Sequence, residues 1–420
     1  MQTSKIERVL ASALREGALS GVDDDGPALC MFYDLDDLRA GFHEVQRVFP
    51  QQTLHTSAVK ANGLPAILNE AKRLGFGAEV ASLGELVHVL ELGFAPADIL
   101  FDSPAKTRAE IELALSRGVI LNVDNLQELE RVAQAMSKMT SRSIVGMRVN
   151  PQVGAGTIAS TSTATSTSKF GITLDEHRDA IFDAFAKYPW LRGLHVHVGS
   201  QGCGLDLLVR GARRAVDLAL ALRGRGHAIE ILDIGGGLSV DYAGGDAPPA
   251  FAEYAAMLRE HVPEIFDGSF RIATEFGRAL HAKTGWVASR VEYTKSAGGR
   301  RIAVTHAGAE LFVRAVYQPE KWAHRITIHD ATGALKRGPV APWDVAGPLC
   351  FSGDLIAVGR ELPSIEPGDF VVIHDAGAYT LSMWSRYNSR LVPAVYGYEG
   401  SALHSMKRAE STEDLIRFWS

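Results

Sequence analysis

Lys60 stands in the segment HTSAVKANG, where an apolar, strand-like run comes to its end. A lysine in such a run snorkels to solvent or pairs with an acid. At the C-terminal end of a barrel strand it can instead offer an amine for Schiff-base chemistry, because catalytic groups gather at those ends. Gly235, Gly236 and Gly237 follow a second run, in LDIGGGL. Three bare N–H groups in a row suit a phosphate, and tight turns use glycine too. His195 and His197 alternate in LHVHVG, so on a strand both face one side, with Gly199 and Ser200 just beyond. Glu275 closes the run RIATEF, and Arg278 follows three residues later. A carboxylate buried there needs a partner, either Arg278 or a protonated ring nitrogen.

These residues sit on a repeating frame. Between residues 53 and 278 the strand-like runs are TLHTSAVKA, GAEVAS, ILFDSP, ILNVDN, SIVGMRVN, LRGLHVHVG, AIEILDIGGG and RIATEFGR. Amphipathic stretches such as LPAILNEAKRLG and LGELVHVLELG separate them, apolar at three- and four-residue spacing and stopped by glycine. Eight strand–helix units predict an α/β fold with a (β/α)8 barrel over residues 39–284. An open doubly wound sheet is the alternative, and the number of units favours closure. Beyond residue 285 the runs WVASRVEYTK, RRIAVTHA, HRITIHDA, DLIAVG and DFVVIHDAG predict a mainly β domain over 285–420. ALCMFYD, residues 28–34, reads as a further strand that could join either domain. Residues 151–169, rich in Ser, Thr and Gly, read as a solvent loop or as a mobile flap over a ligand.

Composition narrows the classes. A chain of 420 residues predicts two or three domains. A formal net charge of -6 and a pI near 6.2 give no basic field, so no nucleic-acid partner is expected. The N-terminal stretch is amphipathic and does not resemble a secretory signal, and no run is apolar enough to span a membrane. Cys30, Cys203 and Cys350 form neither a disulfide framework nor a zinc pattern. A reducing, cytoplasmic setting and no metal are the expectation.

Seven motifs in order then carry a resemblance: VKAN, SKFGI, HVGSQ, LDIGGG, EFGR, GPLCFSGD and DAGAYT, within residues 28–395. The chain resembles the fold-type III pyridoxal-phosphate decarboxylases, the diaminopimelate and ornithine decarboxylase group, whose barrel is of the alanine-racemase kind. The resemblance implies pyridoxal 5'-phosphate as cofactor, covalently held by Lys60. It implies His197 stacked on the ring, Ser200 with Gly235, Gly236 and Gly237 on the phosphate, and Glu275 on the pyridine nitrogen. Glu79 joins the cofactor set, Arg278 sits by the phosphate or the substrate, and Tyr379 reaches the cofactor from a second subunit. Cys350, also from that subunit, returns a proton after carbon dioxide leaves. The implied assembly is a head-to-tail homodimer with shared active sites acting on a small amino acid. In the family the β domain also takes the N-terminal residues, here 1–38.

The chain departs from the family pattern at four places. Glu79 replaces an aspartate, and Phe276 replaces the proline of E-P-G-R. Phe351 stands where relatives carry an acid that reads the substrate's distal ammonium. Arg314 precedes Tyr317 by three residues instead of four. Arg314, Tyr317 and Phe351 are therefore the substrate-binding candidates. The expectation is an amino-acid decarboxylase whose substrate is not meso-diaminopimelate but a D-amino acid or a biosynthetic intermediate. The alternatives are a diaminopimelate decarboxylase of lysine biosynthesis, a racemase or lyase on the same barrel, and an inactive regulator that keeps the fold.

Overall fold

The computed structural model describes residues 4–22, 24–244 and 250–420. The chain forms two units, one from Ala40–Val240 and the stretch ending at Leu280, the other from the chain up to Arg39 and His281–Ser420. The first strand, β1 (Leu29–Asp34), belongs to the latter. The next strands are β2 (Leu54–Ala58), β3 (Gly77–Val80), β4 (Ile99–Asp102), β5 (Ile120–Val123) and β6 (Val145–Asn150). After the two-residue β7 (Ile172–Thr173) come β8 (Leu191–His195), β9 (Ile231–Asp233) and β10 (Arg271–Phe276).

Eight of these pair in parallel, from β2 through β6 and then β8, β9 and β10. The pairs β10–β2 and β5–β6 close the ring, so the doubly wound sheet is excluded. β7 hangs on β6 outside it. Leu54, Leu100, Ile120, Ile231 and Ala273 form one buried apolar cluster at the start of the barrel. Side chains on a strand return to the same face every second residue. Two residues after Leu100, Ile120, Ile231 and Ala273 stand Asp102, Asn122, Asp233 and Glu275. The same face thus turns from apolar to charged within one residue pair, at the end where barrels carry chemistry.

In the other unit, β11 (Gly285–Ala297) and β12 (Arg300–Thr305) start a nine-stranded sheet with β1. It continues with β13 (Ile326–His329), β14 (Ala341–Ala346), β15 (Leu355–Leu362), β16 (Phe370–Ile373), β17 (Ala394–Glu399) and β18 (Ala402–Lys407). The strand read from ALCMFYD lies between β11 and β17. The helix Lys5–Arg15 starts in a capping box on Ser4 and lays Val9, Leu10 and Ala13 onto Phe32, Trp286 and Phe370 of the sheet. Three strands escape the sequence reading. Pro342 interrupts β14, Gly397 interrupts the apolar run of β17, and β18 has no buried residue to mark a pattern.

Residues 151–169 are docked against HVGSQ through hydrogen bonds. Thr163 donates its N–H to the carbonyl of Val198 (2.9 Å) and its Oγ1 to that of His197 (2.6 Å). Ser200 N–H donates to the carbonyl of Thr161 (2.9 Å), and Ala164 is fully buried. The hydroxyls and small side chains of this stretch allow the close docking.

Candidate functional site

Lys60 lies two residues past β2, and its ammonium meets the carboxylate of Glu79 on β3. Glu79 is fully buried, whereas the Lys60 side chain is 38% exposed. The amine therefore reaches open space while its base is locked beneath it. Burial pushes the Glu79 carboxyl up, and Lys60 pulls it back.

Glu275, on β10, faces both histidines. Its Oε1 is 3.6 Å from His195 Nδ1 and its Oε2 is 3.6 Å from His197 Nδ1. The alternation read from LHVHVG holds, although β8 ends at His195. Burial raises the Glu275 carboxyl well above the usual range and Asp233 adds to this, against the pull of His195. Burial drives His197 well below its ordinary value, and the cations Arg148 and Lys60 act the same way, so its ring is neutral. Among the described residues, Glu275 Oε1 is buried without a hydrogen-bond partner. A protonated ring nitrogen would satisfy it.

The glycine turn follows β9. A Cβ on Gly236 would lie 2.2 Å from the carbonyl oxygen of Glu275, and one on Gly237 2.4 Å from that of Gly199. Backbone approaches backbone here so closely that side chains are excluded, which leaves a bare cradle. Beside it, Arg278 Nη2 donates to Ser200 Oγ at 3.3 Å. Two glycines, a hydroxyl and a guanidinium around one hollow suit a phosphate.

Residues the sequence reading passed over complete the floor. Arg148 on β6 pairs with Asp102 on β4 at 2.7 Å, and Asp102 lies 3.4 Å from His195 Nε2. Asp233, from LDIGGG, is 2.8 Å from His195 Nδ1 and takes the Gly235 N–H at 2.9 Å. Phe170 of SKFGI covers the Arg148 guanidinium at 4.5 Å, and Gly171 N–H donates to Asp124 at 3.1 Å. Asp102, Asp124 and Arg148 are single polar residues on or just past their own strands, with no local pattern to mark them, whereas Asp233, Phe170 and Gly171 stood inside LDIGGG and SKFGI without a role of their own.

The remaining candidates lie in the β unit. Cys350 is exposed, and Cys30 and Cys203 are buried thiols outside any disulfide. The Phe351 ring stacks on Tyr317 (5.9 Å, 10°) and meets Tyr387 edge-on (6.2 Å, 62°). Arg314 does not join them. Its guanidinium lies 4.8 Å from the ring centres of both Trp322 and Tyr379. Tyr379 itself has a left-handed backbone, φ 56°. Two neighbours grip the cysteine: its N–H donates to Asn388 Oδ1 (2.7 Å), and Tyr387 donates its hydroxyl to the Cys350 carbonyl (3.4 Å). Buried Asp354 accepts the N–H groups of Leu349 and Ala309 at 2.8 and 2.7 Å, fixing the start of the CFSGD loop.

A closed parallel barrel with an amine over a buried acid, an anion cradle and a second buried acid defines a Schiff-base cofactor barrel. Residues 35–282 match the pyridoxal-binding domain of the pyridoxal-dependent decarboxylases. The chain is 34% identical to diaminopimelate decarboxylase of Pseudomonas aeruginosa over 362 residues, 85% of this chain and 84% of that one. It is 30% identical to that of Helicobacter pylori strain J99, over 92% of this chain and 94% of the relative. The structure of diaminopimelate decarboxylase from Helicobacter pylori complexed with L-lysine superposes with a TM-score of 0.83 at 27% identity, covering 94% and 97% of the two chains. The chain belongs to the pyridoxal-dependent decarboxylase family, fold type III. It is a carboxy-lyase that uses pyridoxal 5'-phosphate, and the racemase and regulator alternatives fall away. Among the described residues no helix is long and apolar enough to cross a membrane.

Proposed function

We propose that this enzyme removes the α-carboxyl group of diaminopimelate, and that the barrel floor around Glu275 binds the cofactor. The relatives' names favour diaminopimelate and give no support to the expected departure from it. The observation that carries the cofactor reading is the orphaned Glu275 oxygen, set in one barrel mouth with Lys60 and the glycine cradle. When bound, pyridoxal phosphate supplies an electron sink for the pair left on the α-carbon as carbon dioxide departs. Lys60 holds the cofactor through its amine, over Glu79. Gly235, Gly236, Gly237, Ser200 and Arg278 bind the phosphate. Neutral His197 lies against a ring face, and Glu275 holds the proton on the ring nitrogen. The partner subunit's Cys350 returns a proton to the α-carbon, and the partner subunit's Tyr379 reaches the cofactor in a head-to-tail dimer. Arg314, oriented by two aromatic faces, reads a carboxylate.

One observation favours a second reading of the substrate. Phe351, Tyr317 and Tyr387 set three aromatic rings beside Cys350, and none of them offers a carboxylate to a distal ammonium. An apolar wall there favours another amino acid, of D configuration or an intermediate with a less basic end. Carbon dioxide release from a panel of D- and L-amino acids that includes meso-diaminopimelate decides between them. Preferred turnover of meso-diaminopimelate supports the first reading, and its rejection in favour of another member supports the second.

A further inference from the structure

His195 is fully buried on β8, and carboxylates from three other strands surround it. Asp233 on β9 is 2.8 Å away, Asp102 on β4 3.4 Å and Glu275 on β10 3.6 Å. The other cations on this floor have partners of their own. Arg148 on β6 pairs with Asp102, with Asp124 at 3.8 Å, and Lys106 pairs with buried Glu128 at 2.9 Å while also acting on Asp102. Lys60 pairs with Glu79. Asn122 on β5 gives Asp233 a neutral donor at 3.4 Å, and neutral His197 gives Glu275 no charge. Asp233 and Glu275 are thus left facing one imidazole.

We infer that His195 is a positioning residue: as an imidazolium it holds Asp233 and Glu275 so that one negative charge remains for the cofactor's ring nitrogen. The inference rests on the reading of Glu275 as the partner of that nitrogen. Without the imidazolium, two buried carboxylates would oppose each other with no cation between them, and one would take up a proton permanently. On Glu275 that proton would remove the anion the ring needs. Burial and Asp233 push the Glu275 carboxyl up, and His195 is the neighbour that pulls it back. Burial opposes a charge on His195, yet Asp233, Glu275 and Asp102 outweigh it and hold the ring's proton well above its ordinary range.

The test is nuclear magnetic resonance on the folded holoenzyme and apoenzyme. With ¹⁵N-histidine, both His195 nitrogens should stay protonated between about pH 6 and 8. A neutral His195 in that range overturns the inference, and this arm needs no variant to fold. With cofactor labelled at its ring nitrogen, the wild type should show a pyridinium signal. His195→Gln should move it towards free pyridine and weaken cofactor binding about tenfold or more. Adding Asp233→Asn to that variant restores the single surplus charge and should bring the pyridinium signal back. A purely structural His195 would make the double variant worse than the single, which overturns the inference. A wild-type ring without a proton overturns the Glu275 reading and this one with it. A protonated ring that His195→Gln leaves protonated overturns only the role of His195.

Discussion

Glu79 has one methylene more than the aspartate of the family pattern, and that reach lets a fully buried side chain meet Lys60. Phe276, the residue in place of proline, is explained by packing. It is buried between Phe251 and Phe49, with ring centres 5.1 and 6.0 Å away. The motif letters marked both positions, but only the fold shows that one is electrostatic and the other steric. Phe276→Ala should cost about 3–5 kcal/mol in urea unfolding, since an aromatic ring is deleted from a closed core. At Phe351 the chemistry of the substituent decides. If the aromatic wall lines the substrate pocket, Phe351→Glu should raise kcat/KM for meso-diaminopimelate by about tenfold or more relative to the other amino acids of the panel. Unchanged ratios would remove Phe351 from the pocket.

Elements explain what single residues cannot. Lys60, Gly235–Gly237 and Glu275 were legible because strand ends and short motifs mark them locally. Asp102 and Arg148 were not, and Asp233 had no role assigned inside LDIGGG, because their meaning lies in the ring closure that brings β4, β6, β8, β9 and β10 around one point. The Cys350 loop gives the same lesson. GPLCFSGD announced the cysteine, but its grip comes from Tyr387 and Asn388, some 37 and 38 residues on in sequence. Asn388 adopts φ 54°, which glycine accepts freely. Asn388→Gly should therefore keep the fold while deleting the acceptor for the Cys350 N–H. A hydrogen bond of about 1 kcal/mol predicts a five- to tenfold fall in kcat (on the order of that energy), with KM little changed. Steady-state kinetics on the folded variant checks it, and an unaltered kcat would detach this turn from the cysteine's work.

At the scale of the whole molecule, acid should unfold the protein through its buried histidines. Burial lowers His55 to about 4, His281 to about 3 and His374 to about 3, the last with help from Arg325. Unfolded histidines take protons near pH 6.5, so between that value and about 4 the unfolded chain binds more protons. Stability is then full above about pH 6.5 and is lost as pH falls, by on the order of 2–3 kcal/mol for each such group at pH 4. Urea midpoints at several pH values should trace this limb, and His55→Gln should flatten it. Assembly is tested by mixing inactive Lys60→Ala and Cys350→Ala subunits. If sites are shared across a dimer, random pairing restores one intact site in half of the dimers, about a quarter of full activity. No recovery after proven exchange would confine each site to one subunit.

The most direct measurement is borohydride reduction of the cofactor-loaded enzyme followed by a peptide mass map. Reduction traps the cofactor on whichever lysine holds it. The account predicts the added mass on the peptide containing Lys60, the lysine of VKAN, and its disappearance in Lys60→Ala. Trapping on a different lysine, or no trapping in a wild type that turns over substrate, would contradict it.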